Sequence, residues 1–171
     1  HATNKMGRGV KVGQNRTATF NMYGGEISGN HAGSIGYGQD GGGVCVRGTF
    51  NMYGGKITGN DIEKALNGYG GGIYSTGTVA IYGGTISKNT AAQNGGGIYA
   101  TKDLTISGNA VITDNTATSG NGGGVYYSVS SPEKLMTVSD TAKITENKAG
   151  GNGGGVYYAN SNDSASRYPM T

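Results

Sequence analysis

The chain is poor in the residues that usually fill and cross-link a protein interior. Its 171 residues include one cysteine, two prolines and no tryptophan, and hydrophobic residues make up only 34% of the sequence. The lone thiol, Cys45, can form neither an intramolecular disulfide nor a thiolate metal cage. No apolar run is long enough to cross a membrane. So little apolar mass favours a narrow core over a broad globular one.

Charged residues are also scarce, and they are not grouped by sign. They make up 13% of the chain, the net charge is +3, and no run of lysine or arginine occurs. The basic stripe that draws proteins to nucleic acid or anionic lipid is therefore missing, so we expect no nucleic acid partner and no membrane insertion of this segment. Composition changes nowhere along residues 1–171, which predicts a single domain.

Glycine, by contrast, is abundant and clustered. The chain has 36 glycines, and six glycine clusters, each followed by Val or Ile, begin 25 to 34 residues apart at Gly7, Gly41, Gly70, Gly95, Gly122 and Gly153. Each cluster except the last is followed by two apolar residues two positions apart, such as Phe20 and Met22. An Ile-Ser/Thr-x-Asn unit comes next and ends at Asn30, Asn60, Asn89, Asn115 or Asn147. The chain is therefore six imperfect copies of one motif.

Each copy predicts three short strands. Apolar residues alternate with others inside each strand, as in Val44-Cys45-Val46, so one face of every strand is apolar. A copy of this length cannot bury its own apolar face, but copies stacked in register close a continuous core. The predicted fold is all-β: a parallel β-helix, or solenoid, of about six coils with three short strands each.

The corners between strands have their own pattern. The Asn that ends each Ile-Ser/Thr-x-Asn unit predicts an inward ladder of stacked amides. Asn94, Asn121 and Asn152 precede glycine triplets, as Asp40 does earlier, and these residue types tolerate left-handed backbone, which predicts tight corners. Copies four and five carry one extra residue between their second and third strands, so a bulge or a looser corner is expected there.

These features resemble repeats of known bacterial proteins. The Gly-Gly-aliphatic openings and the strand ends in Asn are similar to the GGA-I/V and FxxN repeats of chlamydial polymorphic outer-membrane proteins, and to GG-T-ISGN repeats of exported surface proteins of gut bacteria. Those repeats form right-handed β-helices on bacterial cells, often as adhesins. The resemblance implies a right-handed β-helix of extracellular or cell-surface location, in contact with a glycan or another cell-surface ligand.

The two ends of the chain indicate a fragment. His1 stands where a methionine would begin a chain, and Met170-Thr171 repeats Met136-Thr137 at the start of a second strand. We therefore expect a piece of a longer chain whose last coil is incomplete. An uncapped coil exposes unpaired strand edges, so contacts with further coils of the same chain, or end to end with another molecule, are expected.

Tyrosines recur at fixed places in the repeat. One column follows the glycine clusters and comprises Tyr74, Tyr99, Tyr126 and Tyr157. A second column precedes the Gly-Gly corners and comprises Tyr23, Tyr53 and Tyr82. The period of two directs the first column outward, where aromatic rings can contact sugars or partner proteins, and we take it as the candidate ligand-binding site. The alternative is that the stacked rings only stabilise the rod.

Acidic residues and a histidine offer a catalytic alternative. His31 and Asp40 lie on the predicted loop 31–40, and Asp61 and Glu63 lie on the loop 61–69. Adjacent coils would bring these loops together, and a third long loop is predicted at 128–135. Paired carboxylates are the apparatus of glycoside hydrolases, and polysaccharide lyases place acidic residues and a base on a β-helix. The alternative is that these are ordinary solvated loop charges.

No cofactor or metal is predicted. Residues 36–41 fit the pattern GxGxxG, but a strand rather than a helix follows, which excludes a nucleotide site. The same stretch partly matches a calcium-binding nonapeptide, but it occurs once, so calcium stays the weaker alternative. Three functions remain open: an adhesion or glycan-contact rod, a carbohydrate-active β-helix enzyme, and a structural spacer or assembly module without a ligand.

Overall fold

The computed structural model describes residues 8–14, 17–32, 41–62, 68–129 and 135–160. These residues form an all-β parallel solenoid, and no α-helix occurs among them. Within the same residues, nothing resembles a long apolar helix capable of crossing a membrane. The chain winds so that each strand pairs with the equivalent strand of the next coil, and all of these pairings are parallel.

Four sheets run along the solenoid. The first sheet contains β1 (Val10–Val12), β4 (Val44–Val46), β8 (Ile73–Ser75), β12 (Ile98–Ala100), β16 (Val125–Val129) and β20 (Val156–Asn160). The second contains β2 (Thr19–Met22), β5 (Thr49–Met52), β9 (Thr78–Ile81), β13 (Leu104–Ile106) and β17 (Met136–Val138). The third contains β3 (Glu26–Ser28), β6 (Lys56–Thr58), β10 (Thr85–Ser87), β14 (Val111–Thr113) and β18 (Lys143–Thr145). The fourth contains β7 (Asp61–Ile62), β11 (Thr90–Ala91), β15 (Thr116–Ala117) and β19 (Lys148–Ala149).

The strand and coil counts correct the sequence prediction. Three strands per coil is wrong, because a fourth strand of two residues follows the Asn of each complete coil. Such a strand is too short for its apolar period to show in the sequence. The count of about six coils is also too high. Four coils carry all four strands, and the described chain adds only the partial coils β1–β3 and β20.

The core is a narrow column of aliphatic side chains. In the coil that begins at Ile98 the inward residues are fully buried, and they are Ile98, Ala100, Leu104, Ile106, Ala110 and Ile112. Each buried aliphatic side chain of Leu or Ile size contributes about 1.5–3 kcal/mol relative to exposure. Each inward residue contacts the equivalent residues of the coils above and below it. The core therefore packs closely only when the copies are aligned in this register.

The predicted asparagine ladder is confirmed. Asn60 Nδ2 donates to Asn89 Oδ1 at 3.0 Å, and Asn89 Nδ2 donates to Asn115 Oδ1 at 2.9 Å. The backbone N–H groups of Asn60 and Asn89 donate to the same oxygens, both at 3.0 Å. Asn30 and Asn147 continue the ladder at its two ends. The amides thus satisfy buried polar groups at the corner between the third and fourth sheets.

The glycine-cluster corners are tight, but in a different way from the prediction. The left-handed residue is the glycine after each Asn, with φ of 70° at Gly95 and 68° at Gly122. The Asn side chain instead accepts a backbone hydrogen bond, since the Asn121 N–H donates to Asn94 Oδ1 at 2.8 Å. Asp40, the earlier counterpart, lies outside the described residues.

The extra residue of copies four and five enlarges a corner, as predicted. Earlier coils turn at a Gly-Gly pair such as Gly83-Gly84. In copy four a turn takes its place, and the Ala110 N–H donates to the Ser107 carbonyl oxygen at 3.2 Å. In copy five the Ala142 N–H donates to Ser139 at 3.3 Å. The strands on either side keep their register, because the turn absorbs the insertion.

Candidate functional site

The first tyrosine column is a continuous stack of rings on the first sheet. Register pairs Tyr74 with Tyr99, Tyr99 with Tyr126 and Tyr126 with Tyr157. The ring centroids of these pairs are 5.2, 5.1 and 5.4 Å apart, and the rings are nearly parallel. All four side chains are half-buried, since the rings cover one another. The column therefore presents ring edges and hydroxyl groups more than open ring faces.

Two further residues modify this column. Tyr69 stacks on Tyr99 at 5.0 Å, although it lies before the glycine cluster and outside the sequence pattern. Cys45 occupies the place of a tyrosine in register with Tyr74, but it is buried, with 1% of its surface exposed. Its row faces outward, as the period of two predicts, but neighbouring residues cover Cys45. Repeat alignment alone could not have found Tyr69.

Burial affects the chemistry of the column. Burial first, and then the neighbouring Tyr157, raises the pKa of Tyr126 above its ordinary value, although a hydrogen bond with Ser128 lowers it somewhat. The phenol of Tyr126 therefore stays neutral at physiological pH. The inward Tyr127 lies next to this column on β16, and burial raises the pKa of Tyr127 to about 12. Neither phenol is suited to act as a general base near neutral pH.

The second tyrosine column is the more exposed one. Tyr23, Tyr53 and Tyr82 are 73%, 46% and 42% exposed. Their ring centroids are 4.9 Å apart from Tyr23 to Tyr53 and 5.2 Å apart from Tyr53 to Tyr82. Each ring follows a strand of the second sheet and precedes a Gly-Gly corner. The column thus projects from one edge of that sheet over three consecutive coils.

One pair of the proposed catalytic residues meets between adjacent coils. His31 Nδ1 contacts Asp61 Oδ2, and the two residues form a parallel β-bridge. The Ala32 N–H donates to the Asp61 carbonyl oxygen at 2.9 Å, and the Asp61 N–H donates to the Asn30 carbonyl oxygen at 2.9 Å. Backbone pairing therefore positions the pair, and Asp61 lies on β7 rather than on the predicted loop.

The geometry of this pair resembles an oriented base. A carboxylate on one ring nitrogen of His31 sets the orientation of the imidazole and leaves Nε2 for other chemistry. The His31 side chain is 42% exposed. Asp61 Oδ1 is buried and has no hydrogen-bond partner among the described residues. The pair could thus move a proton, provided that a substrate reaches His31.

The rest of the predicted catalytic set cannot be assembled from the described residues. Asp40 and Glu63 lie outside them, as do residues 36–40 of the glycine-rich motif. Residues 128 and 129 of the predicted loop 128–135 belong to β16, and residues 130–134 lie outside the described residues. In the part of the chain that the structure describes, no three His, Cys, Asp or Glu side chains group as ligands for a metal ion.

Comparison with known proteins identifies the repeat. Residues 83–101 match the family model of the Chlamydia polymorphic membrane protein repeat. The matched residues run from the Gly-Gly corner of one coil through β10, β11 and the next glycine cluster to β12. The predicted resemblance is confirmed. No curated protein and no solved structure matches the chain.

The repeat match and the solenoid together indicate a class of protein. The chain carries a β-helix repeat of bacterial surface or outer-membrane proteins, which agrees with the predicted extracellular or cell-surface location. The match covers β10 to β12, which is less than one full coil, and the other coils repeat its pattern of Ile-Ser/Thr-x-Asn, glycine cluster and apolar strand. A repeat of this kind defines a scaffold, so function must be sought on its outward faces.

Proposed function

We propose that this chain is a rod-like segment of a right-handed β-helix on a bacterial surface protein, and that it serves as an adhesion or glycan-contact module. A right-handed winding of the coils is supported by two observations. Crossover connections between parallel strands are right-handed in general, and the repeats that the chain resembles form right-handed β-helices. The cell-surface setting is supported by the repeat match over residues 83–101.

The observation that carries this proposal is the pair of tyrosine columns. Stacked rings are held rigid by their neighbours, so they lose little conformational entropy when a ligand binds. Tyrosine offers apolar area together with a hydroxyl group, which suits both sugars and protein surfaces. The column Tyr74–Tyr99–Tyr126–Tyr157 and the more exposed column Tyr23–Tyr53–Tyr82 are both candidates for this contact.

The experiment that tests the proposal measures binding and cleavage together. We expect the chain to bind members of a glycan array and to release no new reducing ends from the same glycans. Binding of that kind supports a contact module. If neither binding nor release is found for any glycan, the result supports a spacer or assembly module and contradicts the proposal.

A carbohydrate-active enzyme is the second candidate, and the pair His31–Asp61 favours it. If reducing ends are released, Asp61→Asn should abolish the release, because the amide cannot stabilise a protonated imidazole as the carboxylate does. Asp114→Asn is the matched control, since Asp114 lies at an exposed corner far along the chain from this pair. Release that survives Asp61→Asn would argue against this pair as the catalytic apparatus.

A further inference from the structure

We propose that the outward face of the second sheet, over the first three of its strands, is a binding site for a neutral glycan. This inference rests on the proposed glycan contact and assigns it to a place. The face is formed by the sequence Thr-x-Asn-x-Tyr at residues 19–23 and 49–53, and by Thr78 and Tyr82 in the next coil. We call it the Thr-Asn-Tyr face.

The solenoid arranges these residues as a grid. Thr19 is in register with Thr49, and Asn21 with Asn51. Thr78 continues the threonine row, while Ala80 replaces the next asparagine. The outward position repeats every second residue along a strand and every coil across the sheet. Rows of hydroxyl, amide and phenol groups therefore lie side by side along the rod.

The first two coils share this face residue for residue. Residues 19–30 and 49–60 are identical except at two positions. Glu26 is in register with Lys56, and Ser28 is in register with Thr58. Both differences fall on the outward side of the third sheet. The core accounts for the shared inward residues, but it places no demand on outward Thr, Asn and Tyr. Two coils therefore vary on one outward face while they keep the other identical.

The chemistry of the face fits a neutral, hydroxyl-rich ligand. The grid contains no charged side chain, so it neither attracts an ionic partner nor balances the charge of one. Asn51 Nδ2 donates to Asn21 Oδ1 at 2.8 Å, and this bond aligns the amides while both retain further donor hydrogens. Threonine hydroxyl groups add donors and acceptors. Sugar hydroxyl groups can pair with all of these.

Tyr23 adds an aromatic surface to this polar grid. Its ring stacks on Tyr53, which stacks on Tyr82, and the three side chains are 73%, 46% and 42% exposed from Tyr23 to Tyr82. Inner rings of either column have neighbours on both sides, as Tyr53 and Tyr99 do. A sugar can therefore contact the exposed parts of these three rings while its hydroxyl groups bond to the neighbouring amide and threonine rows.

The test compares two sets of variants by calorimetric titration. The probes are neutral gluco-, manno- and galacto-oligosaccharides, with uronic-acid and sulfated oligosaccharides as charged counterparts. Tyr23→Ala combined with Tyr53→Ala and Tyr82→Ala should weaken binding of the neutral probe about tenfold or more, because stacked aromatic contact is lost at three positions. Tyr158→Ala, at a tyrosine of comparable exposure on β20, should leave the affinity unchanged.

A second variant guards against loss of fold in the triple variant. Asn21→Arg removes no stacked ring and blocks the grid with a long cation, so it should also weaken binding about tenfold. Unchanged binding in both sets would overturn the inference, and so would a preference for charged oligosaccharides. Loss of binding confined to Tyr99→Ala with Tyr126→Ala would move the site to the other column and leave the proposed function standing. Absence of any glycan binding would instead remove the proposed function itself.

Discussion

Gly72 and Gly59 illustrate two physical reasons for glycine in one repeat. A Cβ atom on Gly72 would lie 2.7 Å from the Gly97 carbonyl oxygen and 2.9 Å from Asn89 Nδ2. A Cβ atom on Gly59 would meet nothing within 4 Å, but the residue has a φ of 61°. Gly72 therefore provides space for the next coil, and Gly59 provides a left-handed backbone.

These two glycines give a prediction at the scale of the residue. Gly72→Ala should destabilise the protein by about 3 kcal/mol, because the methyl group overlaps backbone that cannot move without breaking the stack. Gly59→Ala should cost about 1 kcal/mol, since left-handed strain is partly offset by a less flexible unfolded chain. Lys88 adopts the equivalent conformation with a φ of 55°, so a side chain is tolerated at this corner. Urea denaturation of both variants measures the difference, and equal losses would contradict this account.

The asparagine ladder acts at the scale of the element. Asn89 is fully buried, and its side chain takes part in four hydrogen bonds that join three successive coils. Asn147 accepts from Asn115 but is only half-buried. The ladder therefore contributes more to the free energy of unfolding in the middle of the solenoid, where water cannot replace a missing hydrogen-bond partner.

Substitution in the ladder tests this difference. Asn89→Ala should destabilise the protein by about 3 kcal/mol, because it removes the buried acceptor that the backbone N–H and one Nδ2 hydrogen of Asn60 share. Asn147→Ala should destabilise the protein by about 1 kcal/mol. The donors that lose their acceptor belong to Asn115, and solvent can reach them at this less buried position. Thermal or urea unfolding provides the measurement. A larger loss for Asn147 than for Asn89 would show that the ladder does not stabilise through burial.

At the scale of the whole molecule, stability is distributed unevenly along the rod. Val125 and Val156 are in register on the first sheet, yet Val125 is fully buried and Val156 is 38% exposed. The difference arises because, among the described residues, β20 has one strand neighbour and β16 has two. Repeat proteins gain their stability from contacts between neighbouring repeats, so a coil with one neighbour contributes less.

This gradient predicts unequal effects of one substitution at matched positions. Val125→Ala should cost about 2 kcal/mol, because a cavity opens in a closed core, whereas Val156→Ala should cost well under about 1 kcal/mol. Hydrogen exchange should follow the same order, with slower amides in β8, β12 and β16 than in β20. Equal destabilisation, or faster exchange in the central strands, would contradict a core closed by stacking.

The sequence determined the repeat, the alternation within strands and the residues at the corners, because these depend on chain-local periodicity. From them followed the parallel solenoid, the asparagine ladder and the looser corner at the extra residue of copies four and five. Strands of two residues carry no period, so the fourth sheet and the number of complete coils appeared only in the structure. Stacking of adjacent coils also predicted that the segments of His31 and Asp61 meet, but only the structure showed that these two side chains contact each other.

Exposure was decided by tertiary structure as well. Alternation predicts which side of a strand a residue faces, but it cannot tell how far neighbouring coils cover that residue. Cys45 is buried on an outward row, the column of Tyr99 is half-covered by its own stacking, and Tyr23 is largely open. The sequence thus determined where the tyrosines recur, and only the packing of coil on coil decided how far each ring is covered.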